Sequence, residues 1–182
     1  LLSAVALGVV AFVDDITQKS FLAKMSTQMM CVVAMLLVGV SIKVLSLPFV
    51  GETALGAWGY PLTFIWILGL TNAFNFMDGL DGLAGGVAVI AACFMCAIAW
   101  SQGSYFVYIV SYALTASVAG FLVFNFPPAR IFMGDVGSAF LGFTFAALAI
   151  IGASFDFSRL SFYIVPLLLF HFIFDTFFTF LR

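Results

Sequence analysis

Charge is what this chain has least of. Of its 182 residues, 8% are charged, against about 25% in a soluble domain. Histidine occurs once and cysteine three times. That scarcity excludes zinc and cluster ligation, which needs several nitrogen or sulfur donors together. Cys93-x-x-Cys96 has a metal-like spacing but no second pair, and it lies with Cys31 in apolar sequence, where cysteine packs as a small hydrophobe. The six Lys and Arg are scattered and make no basic face, so nucleic acid is not a partner. A net charge of −2 selects no partner by itself. There is no low-complexity tail. The apolar runs do not alternate with polar residues as barrel strands would, so no strand is expected anywhere.

What the chain does have is hydrophobicity, at 65% of residues and a mean hydropathy of +1.26. This composition is that of an integral membrane protein, expected to be an all-α, polytopic transmembrane helix bundle. A span needs roughly 20 apolar residues. Full spans are expected at 28–47, 61–76, 83–100, 105–124, 136–153 and 161–181, with 1–13 as the end of a partial N-terminal one. That makes six full spans plus one partial span, in a single membrane-embedded domain over 1–182 that looks cut at both ends. Polar connectors fall at 16–27, 48–60, 125–135 and 154–160. Trp58 and Tyr60 stand where an interfacial aromatic belt belongs. Lys43 can snorkel from a span end.

The most polar stretch is Asn72-Ala-Phe-Asn-Phe-Met-Asp-Gly-Leu-Asp-Gly-Leu-Ala-Gly-Gly86, which places Asn72, Asn75, Asp78 and Asp81 between two apolar runs. An unpaired carboxylate in hydrocarbon costs several kcal/mol or more. Counting crossings shows what else lies beside it. The chain crosses twice between Asp15 and Asn72, and twice again between Asp81 and Asp135. Asp14, Asp15, Asp78, Asp81 and Asp135 therefore share one membrane face, together with Lys19, Lys24, Arg130 and Arg182. Lys43 and Arg159 fall on the other. The positive-inside rule makes the acidic face cytoplasmic.

Carboxylates gathered at one face repel unless a cation sits among them. Mg²⁺ suits oxygen ligands, retains waters, and is usually held by one or two protein groups plus substrate phosphates. Such a site, open to water and lipid, points to phosphoryl chemistry on a lipid phosphate. Each signal also has a plainer reading. Asp14-Asp15 can be a solvated pair at a boundary, although acids at a helix C-terminus oppose the dipole. Asp78 and Asp81 can be a polar turn. Asp135 can be a helix N-cap. His171 and Asp175, four apart inside the last span, suit a structural hydrogen-bonded pair.

Three motifs in this order cover most of the chain: Asp14-Asp15, Asn72 to Gly86, and Phe132-Met-Gly-Asp-Val-Gly-Ser138. With them the chain resembles the polyprenyl-phosphate N-acetylhexosamine-1-phosphate transferases, glycosyl transferase family 4. That family includes the undecaprenyl-phosphate GlcNAc-1-phosphate transferases and the phospho-N-acetylmuramoyl-pentapeptide transferases. The loop Asn125-Phe-Pro-Pro-Ala-Arg-Ile-Phe-Met-Gly-Asp135 is closer to the O-antigen branch.

The resemblance implies a reaction. A UDP-N-acetylhexosamine gives its sugar-1-phosphate to undecaprenyl phosphate and releases UMP, as the first membrane step of lipopolysaccharide or related cell-wall synthesis. It implies Mg²⁺ or Mn²⁺ as cofactor, the bilayer of the bacterial inner membrane as setting, and a homodimer as assembly. Carried onto this chain, it implies Asn75 and Asp135 as metal ligands. Asp14 and Asp15 would position or activate the lipid phosphate, and Asp78 would support the site. Asp81 and Asn125 would contact the nucleotide, with Phe132 stacked on uracil. The resemblance further implies spans before Leu1, and a cytoplasmic loop after Arg182 with His and Arg on the phosphates. Two rivals make different predictions. A cation-coupled transporter needs mid-membrane carboxylates and an internal repeat, and a catalytically inactive scaffold shows no transfer.

Overall fold

The computed structural model describes residues 2–17, 21–47, 49, 51–155 and 160–182, and for positions 2, 13–17, 21, 23 and 47 the backbone alone. The elements run in chain order as α1 (Leu2–Thr17), α2 (Phe21–Leu37), a hairpin of β1 (Val44–Leu47) and β2 (Gly51–Ala54), α3 (Gly59–Met77), α4 (Leu83–Gln102), α5 (Tyr105–Asn125), α6 (Gly134–Ser154), α7 (Ile164–Leu168) and α8 (Phe170–Leu181).

α6 is the central helix. From Ser138 to Gly152 it is buried on nearly every side, as expected of a helix apolar all round. It packs antiparallel on α3. A Cβ on Gly142 would lie 2.8 Å from the Thr71 Cα and 2.9 Å from the Leu70 carbonyl oxygen, so glycine sets how close the two backbones come. One turn further along, the Trp66 Nε1 donates to the Ala146 carbonyl at 3.1 Å. Phe74 of α3 stacks on Phe145 of α6 at 5.7 Å and meets Phe172 of α8 edge-on at 5.0 Å. These ring pairs add to the burial of three large side chains.

α4 and α5 form a second antiparallel pair. Ala84, Gly85, Ala88, Ala91, Ala92, Met95 and Ala99 are buried on α4. A Cβ on Gly85 would meet Leu122 and Phe121 of α5 at 3.3 and 3.4 Å. The turn between the two helices places Gly103 at φ 75°, a conformation that glycine adopts without a Cβ penalty. The outward faces carry Ile90, Phe94, Ile109, Tyr112, Phe174, Phe177 and Phe178, all exposed. An apolar surface this extensive belongs in lipid.

The structure corrects several expectations. Strands do occur: β1 and β2 pair antiparallel, with Val44 opposite Ala54 and Leu47 opposite Gly51. The run expected as one span at 28–47 is instead α2 followed by this hairpin. α2 ends where Gly39 turns to φ 87° and the Val40 N–H reaches back to the Met35 carbonyl at 3.0 Å, a Schellman closure. The connector expected at 16–27 is largely helical, since α1 runs to Thr17 and α2 begins at Phe21. The span expected at 161–181 is broken into α7 and α8. Pro166 falls in the first turn of α7, where its missing N–H does no harm, and the break is carried by buried Leu169 at φ −106°, ψ 18°.

The structure does not confirm the count of six full spans. Among the described residues three helices, α4, α5 and α6, are long and apolar enough to cross a membrane on length and composition. The expected spans at 61–76, 83–100, 105–124 and 136–153 do match α3 to α6 closely. His171 and Asp175 are both exposed on α8, and no hydrogen bond joins them. Lys43 lies over the Phe155 ring at 4.7 Å from its centroid. Lys19, Asp156 and Arg159 lie outside the described residues.

Candidate active site

The hairpin end of the bundle is held by the Ile42 N–H, which donates to the Thr63 Oγ1 at 2.8 Å. The Ser154 Oγ also donates there, to the Ser41 carbonyl. The opposite end gathers the polar residues. There α3 ends, α4 begins, α5 ends and α6 begins, so Asn75, Asp78, Asp81, Asn125 and Asp135 sit on the same side of the bundle. This is the arrangement that counting crossings requires.

The first group comes together at the start of α6. Asp135 stands in its first turn, where an acid meets the positive end of the helix dipole. The Lys24 ammonium, on the first turns of α2, makes a salt bridge to the Asp135 Oδ2, and the two side chains are 34% and 29% exposed. Asn75, on the last turn of α3, lines the same cavity as Lys24, Gln28 and Asp135; Leu7 closes it from α1. The cavity is about 260 Å³. Asn72 fastens it from one side: its Nδ2 donates to the Gln28 Oε1 at 2.9 Å and to the Leu68 carbonyl at 2.8 Å. Asp14 and Asp15 fall in the last turns of α1, and their side chains lie outside the described residues. Among the described residues, no three His, Cys, Asp or Glu side chains converge.

The second group ties two loops together. Asn125, 4% exposed, accepts at Oδ1 from the Gly82 N–H at 3.0 Å and donates from Nδ2 to the Ile131 carbonyl at 2.9 Å. The Asp81 Oδ2 accepts from the Ala129 N–H at 3.0 Å. Together these bonds join the 78–82 turn to the 126–133 loop. Gly82 turns at φ 75°, and a Cβ there would press on Pro127 at 3.3 Å. The Arg130 N–H donates to the Phe124 carbonyl at 2.8 Å, which folds the second loop back on α5.

Asp78 caps α3 between the two groups. Burial pushes its carboxyl up to about 6 from an ordinary 3.8, because a half-buried carboxylate loses hydration when it ionises. Phe132 is 75% exposed and lines an apolar groove between α5 and α6 with Val136 and Phe140, not the cavity that Asn75 and Asp135 share.

The structure thus brings Asn75 and Asp135 together, brings Asp81 and Asn125 together elsewhere, and leaves Phe132 on the rim. Sequence reasoning missed the Asn72–Gln28 bond and the Lys24–Asp135 salt bridge. One signal was available: Lys24 and Gln28 are four apart and share a helical face, but the stretch 16–27 was read as a connector.

The family model described as glycosyl transferase family 4 matches residues 1–153. A "probable undecaprenyl-phosphate N-acetylglucosaminyl 1-phosphate transferase" of Bacillus subtilis (strain 168) is 39% identical over 175 residues, covering 96% of this chain and 49% of the relative. A phospho-N-acetylmuramoyl-pentapeptide-transferase of Halalkalibacterium halodurans is 39% identical over 163 residues, covering 82% of this chain and 50% of the relative. Another of that name, from Lactiplantibacillus plantarum, is 44% identical over 107 residues, covering 59% of this chain and 33% of the relative. The chain spans half or less of the length of each of these relatives.

Proposed function

Since the chain belongs to glycosyl transferase family 4, we propose that it forms the catalytic part of an enzyme that loads undecaprenyl phosphate with an N-acetylhexosamine-1-phosphate from a UDP-sugar. The acceptor phosphate oxygen attacks the sugar-bearing phosphorus of the donor. The bond from that phosphorus to the bridging oxygen breaks, and the electron pair leaves with UMP. The product is the polyprenyl diphosphate sugar. The relatives' names support the acceptor and the class of sugar phosphate. The observation that carries the reading is the convergence of Asn75, Asp135 and Lys24 on one cavity at the end of the bundle where α1 delivers Asp14 and Asp15.

The donor set fits Mg²⁺. Asn75 and Asp135 offer hard oxygen atoms, and two protein groups leave room for water and phosphate oxygens. The Lys24 ammonium on Asp135 marks the position as one that takes a cation. Bound by these residues, Mg²⁺ supplies charge neutralisation at the diphosphate. The chain's own residues do the rest. Asp81 and Asn125 hold the two loops in register for the nucleotide, and Phe132 offers an exposed ring for the uracil. Asp14 and Asp15 orient the acceptor phosphate, and Asp78 supports the turn that follows α3. The nucleophile is already an anion, so positioning and electrostatics carry most of the catalysis. The reading places the enzyme in the bacterial inner membrane with its site on the cytoplasmic face.

The test is UMP release from UDP-N-acetylhexosamines and undecaprenyl phosphate in detergent, with and without Mg²⁺. Asp135→Asn is expected to lower the rate by about 100-fold or more, the scale of losing one electrostatic group at a reacting centre. A folded, inserted protein that releases no UMP from any such donor would move the reading to an inactive scaffold.

A further inference from the structure

We propose that Lys24 is the resident counter-ion of Asp135, and that a divalent metal reaches Asp135 only by displacing it. This inference rests on the metal site of the preceding section. Lys24 comes from α2 and Asp135 from α6, so the two charges are brought together by packing and not by sequence proximity. Each side chain is withdrawn from about two-thirds of its water contact, at 34% and 29% exposure. A nearby positive charge favours a carboxylate so placed. The ammonium supplies that charge at Oδ2.

Mg²⁺ bonded to the same carboxylate, at about 2.1 Å from oxygen, would sit within a few ångströms of the ammonium. Two cations at that range repel, and in a half-buried site water screens them only in part. Metal binding therefore has to work against Lys24. Of the described residues that line the cavity beside them, Asn75, Gln28, Ser26 and Thr27 are neutral. A lysine's flexible four-carbon stem lets the displaced ammonium swing aside. The ammonium would then face the cavity of about 260 Å³ that Lys24 lines. Lys24 then has two positions: on Asp135 before the metal arrives, and away from it afterwards.

The test reads metal binding without turnover. Mn²⁺ is titrated into the purified protein in nanodiscs and followed by electron paramagnetic resonance. The variants Lys24→Met, Lys24→Arg and Asp135→Asn are compared with the parent, and each is checked for fold by thermal melting. Lys24→Met, which keeps the stem and loses the charge, is expected to bind Mn²⁺ about tenfold more tightly. Lys24→Arg is expected to stay near the parent. Lys24→Met binding equal to or weaker than the parent, with Asp135→Asn abolishing binding, overturns the inference and leaves the metal site standing. Asp135→Asn binding Mn²⁺ as tightly as the parent overturns the metal site itself, and the inference with it. If Lys24→Met does not fold, Lys24→Gln replaces it with the same expectation.

Discussion

Asn125 shows how one buried amide organises a site. Its oxygen holds the turn that precedes α4, and its nitrogen holds the loop that precedes α6. Alanine would leave the Gly82 N–H and the Ile131 carbonyl without these partners in a nearly water-free position. Losing a buried hydrogen-bond partner costs about 1–3 kcal/mol. Asn125→Ala is therefore expected to lower the melting temperature measurably, as well as any transfer activity. An unchanged melt would show that the clasp contributes nothing to the fold.

Asp78 makes a prediction about pH. Folding raises its carboxyl from 3.8 to about 6, so the folded protein holds that proton more tightly than the unfolded chain does. The contribution to stability is complete below the ordinary value and is lost as pH rises through about 6. Asp78→Asn removes the titration. In buffer containing a chelator, the parent's melting temperature relative to that variant is expected to fall between about pH 4 and pH 6 and then level off. A gap that stays constant over this range would falsify the burial of Asp78.

At the scale of elements, long apolar runs made α3 to α6 legible, because each run ends in polar or glycine-rich sequence. The hairpin was hidden by the same criterion. Val44-Leu45-Ser46-Leu47 is as apolar as the helix before it, and hydrophobicity alone does not separate strand from helix. The signal was local: Gly39 supplies the left-handed turn that ends α2. Close helix packing makes a further prediction. Gly142→Ala would place a methyl group 2.8 Å from the Thr71 Cα and 2.9 Å from a backbone carbonyl. Neither neighbour is a flexible side-chain tip. α3 and α6 would have to move apart, at a cost of about 1–3 kcal/mol, read as a lower melting temperature. Because Asn75 and Asp135 are carried by these two helices, transfer is expected to fall as well.

The whole molecule is a bundle with a polar cavity at one end and a hairpin at the other. Between them its outer surface is apolar. That geometry puts Gly79, in the site loop, and Ser46, in the hairpin, on opposite faces of a bilayer. A Cβ at Gly79 meets nothing within 4 Å, so Gly79→Cys is tolerated. In a background lacking Cys31, Cys93 and Cys96, an impermeant maleimide added to intact cells is expected to label Ser46→Cys. Gly79→Cys should label only after the cells are opened. Equal labelling of both in intact cells contradicts the orientation. The transporter alternative fares poorly at this scale, since Asp78, Asp81 and Asp135 stand at helix ends.

Composition and run length by themselves determined that this chain is a helical membrane protein. The parity of its crossings determined that the acids at 78, 81 and 135 share an end with Asn75 and Asn125. These are one-dimensional properties: a hydrocarbon layer accepts only backbones that satisfy their own hydrogen bonds, and an even number of crossings returns to the same side. Which groups touch was decided only by the tertiary structure. Lys24 meets Asp135 across 111 positions of sequence, and Asn125 meets Gly82 across 43. Neither contact has a period or spacing that marks it in advance. Each depends on how the helices pack and on the turn that each loop takes; Gly82, whose Cβ would press on Pro127, sets the second.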